Sequence, residues 1–464
     1  MIKKLLLITS ISLFFVSCNW DSKPQSTYLG GQIINPKGKH VVISNNHRKN
    51  DTITLDDNGR FSFECESLVE DIYTFSHGEI QYMIIEPGDS ILFRVNTMVF
   101  DESLAFSGKG SEKNNYLINL FLENENDNEL LHSQYKLTTE QFLERIDSDR
   151  EIDNTSLKGF IENENPGKLF NRIAQSTLDY NYYYKKEMFA AHKLGANDES
   201  IEDIPSSFFE HRKNINPNDA LLSNYYAYYR LLNIYFDNLA YEQYKDTIPY
   251  NRKSFLHNKE KLKLIDFSIK HKDLHNNLLR TNVRSFLINA NDSAEEGQML
   301  SLFESIDSNK KHLAEMKQFL KKTAKTNAGK RTPNLMLVNT NNETLKLSDV
   351  AKNKSVLFFW TTGAVSHFKE IHTHVLELKS KYPEYTFIGI NTDTNFKSWK
   401  KTVQNFGYNS ATEFQFENND KAREELYINS ANKTMIIDKD LTILEGNTNL
   451  FNQEFESLLL GHLN

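Results

Sequence analysis

Cysteine is nearly absent from this chain. Among 464 residues only Cys18 and Cys65 occur, so a disulfide framework is excluded. An excess of basic charge is also missing. Lys and Arg number 54 against 62 Asp and Glu, a formal net charge of −8. That balance gives no footprint for nucleic acid or an anionic surface. Beyond the first twenty residues no stretch is apolar enough to cross a bilayer. Neither a glycine-rich phosphate loop nor a G-x-S-x-G elbow occurs. What remains is a long chain, too long for one core, for which about three domains are expected.

The first eighteen residues read as an address. Lys3 and Lys4 precede an apolar run, Leu5–Val16, too short to span a membrane as mature structure. Phe15-Val16-Ser17-Cys18 resembles a bacterial lipobox, with Phe15 where leucine is usual. The resemblance implies a signal peptide over 1–18, lipidation of Cys18 and a polar tether over 19–26. Ordinary signal cleavage beside an incidental cysteine is the alternative. A lipid-anchored envelope protein is therefore expected, with the membrane as a partner through Cys18. Asn19 is not the aspartate that retains lipoproteins at the inner membrane in some bacteria. The outer membrane, facing the periplasm, is the expected site.

Between 27 and 108 the hydrophobic pattern has period two. Thr52–Leu55, the turn Asp56-Asp57-Asn58-Gly59 and Arg60–Phe63 predict a hairpin. Gln81–Ile85, Glu86-Pro87-Gly88-Asp89 and Ser90–Val95 predict a second. Cys65 shares the Phe61/Phe63 face and reads as a small buried hydrophobe. From 109 to 328 the pattern turns helical, with helices expected over 114–122, 142–152, 170–192, 205–213, 220–244, 259–271 and 299–325. Asn216-Pro217-Asn218-Asp219 marks a break and an N-cap. The tyrosines at 180, 182–184, 225, 226, 228, 229 and 235 form either a binding platform or the filling of helix seams, with hydroxyls reaching water. The seams are the expected use.

From about Gly329 onward the chain carries Ser355–Trp360 (SVLFFW), a run of buried-strand length. Thr361-Thr362-Gly363-Ala364-Val365-Ser366-His367 follows, then a helical stripe at Ile371, Val375 and Leu378. Tyr385–Ile390 reads as a strand, Asn391-Thr392-Asp393 as a turn, Trp399, Val403 and Phe406 as a helix face, and Thr434–Asp438 with Leu441–Leu444 as a closing hairpin. This segment resembles thioredoxin-like thiol:disulfide oxidoreductases of the TlpA/ResA type. The period-two region, with its D-x-x-G-x-F-x-F and E-P-G-D-S-I phrases, resembles the small β-sandwich preceding many of them. The implied fold class is multidomain α+β: an N-terminal β-sandwich (27–108), a central α-helical domain (109–328) and a C-terminal thioredoxin-like α/β domain (329–464).

The resemblance also defines what is missing. Ala364 and His367 stand where the family has the two cysteines of Cys-x-x-Cys, and Asn432 where it has a cis-proline. Disulfide exchange needs a thiolate and a resolving thiol, which alanine and histidine cannot supply. The expectation is a redox-inactive module with no catalytic residues and no cofactor. Its groove, at Trp360, Thr362, Ala364, His367 and Asn432, would serve binding or scaffolding toward an envelope protein or peptide. The alternative is an oxidoreductase with residual or partner-assisted activity, borrowing Cys65 or a partner's thiol. His367, His372 and His374 lack metal-ligand spacing and read as solvated helix polars. Glu370 and Asp393 read as a helix surface and a turn, not as an acid–base pair.

Overall fold

A computed structural model describes residues 26–45, 48–66, 68–195, 204–290, 292–307, 309–452 and 455–463. Cys18 and the expected signal peptide lie outside them. The fold is mixed α+β, with a β-sandwich, a helical middle and a thioredoxin-like α/β region in chain order.

The first strands are β1 Thr27–Ile34, β2 His40–Asn45, β3 Arg48–Thr54, β4 Arg60–Cys65, β5 Asp71–His77, β6 Glu79–Ile85, β7 Ser90–Asn96 and β8 Ala105–Lys109, with a one-turn helix α1, Phe100–Ser103. They form two four-stranded sheets, β4-β1-β7-β8 and β3-β2-β5-β6. The expected hairpins are corrected by this topology. The turn at 56–59 closes, with Asp56 Oδ1 accepting from Asn58 N at 2.9 Å and Arg60 N at 2.8 Å. Yet β3 pairs with β2 while β4 pairs with β1. The chain crosses from one sheet to the other there, and again between β6 and β7. A period-two pattern around a turn specifies which face is buried, not which strand is the neighbour. Cys65 is half-buried and packs against the sandwich core beside Phe63.

At the next junction Lys113 and Asp89 are buried. Lys113, 4% exposed, donates to Asp89 Oδ2 at 2.8 Å and lies 3.2 Å from Glu86. The E-P-G-D corner thus seats the start of α2, Ser111–Gln134. The remaining middle helices are α3 Thr139–Glu164, α4 Lys168–Gly195, a 3₁₀ helix Ser206–Asn214, α5 Tyr226–Glu242, α6 Phe255–Ser268, α7 Lys272–Asn289, α8 Ser293–Ile306 and α9 Lys310–Thr323. Three expectations change. The helix expected over 220–244 starts at Tyr226, because Asp219 is engaged by Arg172 at 2.7 Å and by Leu221 N at 3.1 Å. The one expected over 299–325 is two helices, separated at Asp307 and restarted by Asn309, whose side chain accepts from Lys311 N at 3.1 Å. Helix α7 was not anticipated.

The tyrosines fill seams, and several of their hydroxyls stay inside. Tyr228, fully buried, donates to the Asn216 carbonyl at 2.7 Å, and Tyr225 meets Thr177 at 2.8 Å. Tyr229 reaches Thr281 at 2.9 Å. For Tyr225 and Tyr228 the hydroxyl is held by protein inside the seam, which corrects that detail of the sequence reading for these two.

The last region comprises β9 Met336–Val338, β10 Thr344–Lys346, α10 Leu347–Val350, β11 Ser355–Trp360, α11 Val365–Lys381, β12 Thr386–Asn391, α12 Phe396–Phe406, β13 Glu413–Phe416, α13 Asn419–Glu425, β14 Lys433–Ile437, β15 Ile443–Asn449 and α14 Phe455–Gly461. One seven-stranded sheet runs β10-β9-β13-β12-β11-β14-β15. Strand β11 is buried along its whole length, flanked by parallel β12 and antiparallel β14. Apolar clusters cover both faces, around Leu357 and Phe359 on one and Val356 and Phe358 on the other. The helical region is fitted closely to β15: a Cβ on Gly446 would come within 1.5 Å of the Thr326 carbonyl oxygen.

Candidate functional site

The carboxyl ends of β11 and β12 and the amino end of α11 meet at one edge of the sheet, where open α/β sheets place their ligands. Strand β11 ends at Trp360, and the chain turns through Thr361, Thr362 and Gly363 before α11 begins after Ala364, its N-cap. Asp393 holds this turn in place. It accepts from Thr362 N and Oγ1, both at 2.7 Å, from Asn391 Nδ2 at 3.1 Å, and from Thr361 Oγ1. Burial works against its charge, but these hydrogen bonds outweigh it and keep Asp393 below the usual carboxylate range. Asp393 is therefore an anchoring acceptor and not an acid.

Ala364 and His367 sit one turn apart at the start of α11, both half-buried, with exposed Asn432 facing them from the turn before β14. Both ring nitrogens of His367 are shielded from water, and the Asn432 amide approaches without a well-formed hydrogen bond. Burial lowers the pKa of His367, and the nearby Asn432 amide opposes the shift. Phe451, expected to open the final helix (Phe451–Leu460), precedes that helix, which starts at Phe455, and forms the far wall: its ring lies 6.3 Å from His367 and stacks on His374 at 5.6 Å. The peptide bonds among the described residues are all trans, those around Asn432 included.

Three expected placements are corrected, the first being His367, read as a solvated helix polar, whose ring nitrogens are shielded from water. Trp360 is fully buried and cannot touch a groove ligand. Instead its indole donates to Glu413 Oε2 at 2.9 Å. His372 is not a solvated helix polar. It is 6% exposed, stacks on Tyr408 at 3.7 Å, and offers Nδ1 to the Phe368 carbonyl at 2.6 Å and Nε2 to Glu413 Oε1 at 3.1 Å. Glu413 was missed altogether. Its carboxyl is raised by burial, against the hydrogen bonds from His372 and Trp360. The Phe368 carbonyl can only accept, so Nδ1 carries a hydrogen and one further proton is shared between Nε2 and Oε1. This polar cluster lies under the floor of the groove, not in it. The only signal in the sequence was the alternation Glu413-Phe414-Gln415-Phe416, all of it buried.

A second set of buried ionisable groups lies in the helical region. Asp237 meets Lys261 at 2.6 Å, Arg252 at 2.8 Å and His257 at 3.0 Å, and Tyr244 closes on His257 Nδ1 at 2.8 Å. The hydroxyl–imidazole–carboxylate order is the one hydrolases use. Here Tyr244, His257 and Asp237 are 4%, 0% and 2% exposed, which leaves no approach for a substrate. Its role is structural.

With that geometry in place, comparison with known proteins agrees with the C-terminal fold. Residues 353–443 match the thioredoxin-like family. The C-terminal domain is thioredoxin-like. Among solved structures, the thioredoxin domain of a thiol-disulfide oxidoreductase from Bacteroides vulgatus is 15% identical, covering 30% of this chain and 99% of that one at a TM-score of 0.26. A thiol:disulfide interchange protein from a Bacteroides species is 16% identical over 26% of this chain and 81% of its own, at a TM-score of 0.24. Another Bacteroides vulgatus structure named for the oxidoreductase activity is 20% identical over 30% of this chain and 98% of its own, at 0.27. No curated protein matches the chain. These likenesses concern less than a third of the chain and assign it no activity.

Proposed function

We propose that the thioredoxin-like domain binds a protein or peptide partner without exchanging disulfides, on a chain anchored by lipid at Cys18 to the cell envelope, on the periplasmic face of the outer membrane. The observation that carries this reading is the pair Ala364 and His367 at the first turn of α11. A methyl group and an imidazole stand where the resemblance requires two sulfur atoms, and no other thiol supports exchange there. Cys65 belongs to β4 and packs in the sandwich core, so the borrowed-thiol alternative gains nothing. The surface around His367, Asn432 and Phe451 offers an extended backbone an exposed amide and an exposed aromatic ring.

Two measurements test the reading separately. The full chain with dithiothreitol as reductant should precipitate insulin no faster than dithiothreitol alone. Turnover clearly above that background overturns the redox-inactive assignment. For the anchor, radiolabelled palmitate should enter the wild-type chain in bacterial cells and not Cys18→Ala. Equal incorporation into both removes the lipid from the proposal.

A further inference from the structure

A lysine sits alone in the seam between the thioredoxin-like and helical regions. Lys433 opens β14 and is 5% exposed. Its Nζ donates to Asn447 Oδ1 at 2.6 Å and lies 5.7 Å from the Tyr427 ring centre. Among the described residues no carboxylate pairs with it. Charged lysines are almost never buried unless paired, and burial brings this one down to about 7. Near neutral pH a substantial fraction is the free amine, the form in which buried lysines attack carbonyl compounds.

Lys433 also lines a cavity of about 370 Å³. Five asparagines, at 429, 432, 447, 449 and 452, share that lining with Ser430 and Thr448. The charged groups facing it are Lys253 from the segment before α6 and Glu445 from β15, the latter 3.4 Å from His462. The wall is thus rich in amide donors and acceptors, suited to a ligand carrying hydroxyl groups, and its one carboxylate is directed to a histidine.

We infer that this cavity takes a small hydrophilic aldehyde, whose carbonyl carbon is bound by the Lys433 amine as an imine. The nitrogen lone pair adds to the carbonyl carbon, the C=O pair moves to oxygen, and one proton passes from nitrogen to that oxygen, giving a carbinolamine. The hydroxyl leaves as water with the second nitrogen proton while the nitrogen lone pair forms the C=N bond. No oxidant or reductant is consumed, and the step reverses on hydrolysis. Asn432 borders both this cavity and the proposed groove, but the chemistry of Lys433 does not depend on the groove binding a partner.

The test uses the full chain with glyceraldehyde as probe and sodium cyanoborohydride as the hydride donor that traps the imine as a secondary amine. Peptide mapping then ranks every lysine by its rate of modification. At pH 7 Lys433 should rank first, ahead of the median lysine by about tenfold, since an ordinary lysine with a pKa of about 10.4 is almost wholly protonated there. Its rate should saturate with glyceraldehyde, and should level off above about pH 7 while the other lysines continue to gain. Asn447→Asp places a carboxylate beside the amine, keeps it charged, and should cut the Lys433 rate severalfold at an unchanged melting temperature. The wild-type ranking decides alone where that variant does not fold. Another lysine ranking first, or a Lys433 rate linear in glyceraldehyde, overturns the proposal.

Discussion

Asp237→Ala is expected to destabilise the helical region by about 3–5 kcal/mol, the range for removing one partner of a buried ion pair. The residue is 2% exposed, and its removal leaves Lys261, itself 2% exposed, without a counter-ion. Lys261 is already lowered to about 8 by burial, with Asp237 opposing the shift. Domains of ordinary stability hold only about 5–15 kcal/mol, so the loss is a large part of the total. The urea midpoint read by far-ultraviolet circular dichroism should fall by about 1 M or more. Arg145→Ala serves as the control. Its pairing with Asp149 at 3.2 Å is largely solvated, and exposed pairs contribute at most about 1 kcal/mol. Equal midpoints for the two variants would show that the buried network carries no stability.

Together with a second buried cluster, Glu187 with Arg212 and His211, this network fixes a direction for pH. Burial alone would raise Glu187, but hydrogen bonds from Arg212 and His211 outweigh it and bring it to about 2 from 4.5. Asp237 is likewise held well below the carboxylate range, by Lys261, Arg252 and His257 against burial. Both are depressed in the folded state. Their contribution is complete above the unfolded values near 4 and is lost as pH falls through the folded ones, because the unfolded chain takes up protons first.

Neither network was visible in the sequence, although the helices that carry them were. Amphipathic spacing reveals which residues face inward, as at Tyr228 and Leu232, but not which distant helix supplies the counter-charge. Helix α7 was lost for a related reason. Its buried stripe runs through Leu274, Leu278, Val283 and Phe286, yet buried Asn282 occupies the position one turn after Leu278. Its amide satisfies itself on the Leu278 carbonyl at 2.8 Å, so a polar residue breaks the pattern without breaking the helix. Strand β13 is the sheet counterpart, with Glu413 and Gln415 buried because His372, Trp360 and Asn391 receive them. In the sandwich the sequence reading found β3, β4, β6 and β7 but misassigned their partners at two corners. The thioredoxin-like region was the most legible because β11 is a continuous apolar run and the turn after it is short. Even there the sequence could place Trp360 at the groove but could not show that its ring points away, down to Glu413.

Restoring sulfur at α11 gives the second large effect, a covalent bond where none exists. In a background with both native cysteines, Cys18 and Cys65, replaced by serine, Ala364→Cys with His367→Cys should form an intramolecular disulfide under mild oxidant. Ala364 is the N-cap and His367 lies in the first turn, the spacing at which a Cys-x-x-Cys pair meets bridge geometry. The exposed helix amino terminus carries partial positive charge and favours a thiolate at position 364, below the free value of about 8.5. Removing His367 also deletes two buried ring nitrogens that make no well-formed hydrogen bond, so the substitution should not cost stability. Two thiols should titrate in the reduced protein and none after oxidation, with the melting temperature retained. Turnover is a poorer readout, because Asn432 leaves the opposite wall of the groove without the proline that the resemblance requires. Two thiols that stay reactive after oxidation, in a protein of wild-type stability, would mean that 364 and 367 are not the vacated positions. The reading of the groove as a former redox site would then be lost with them.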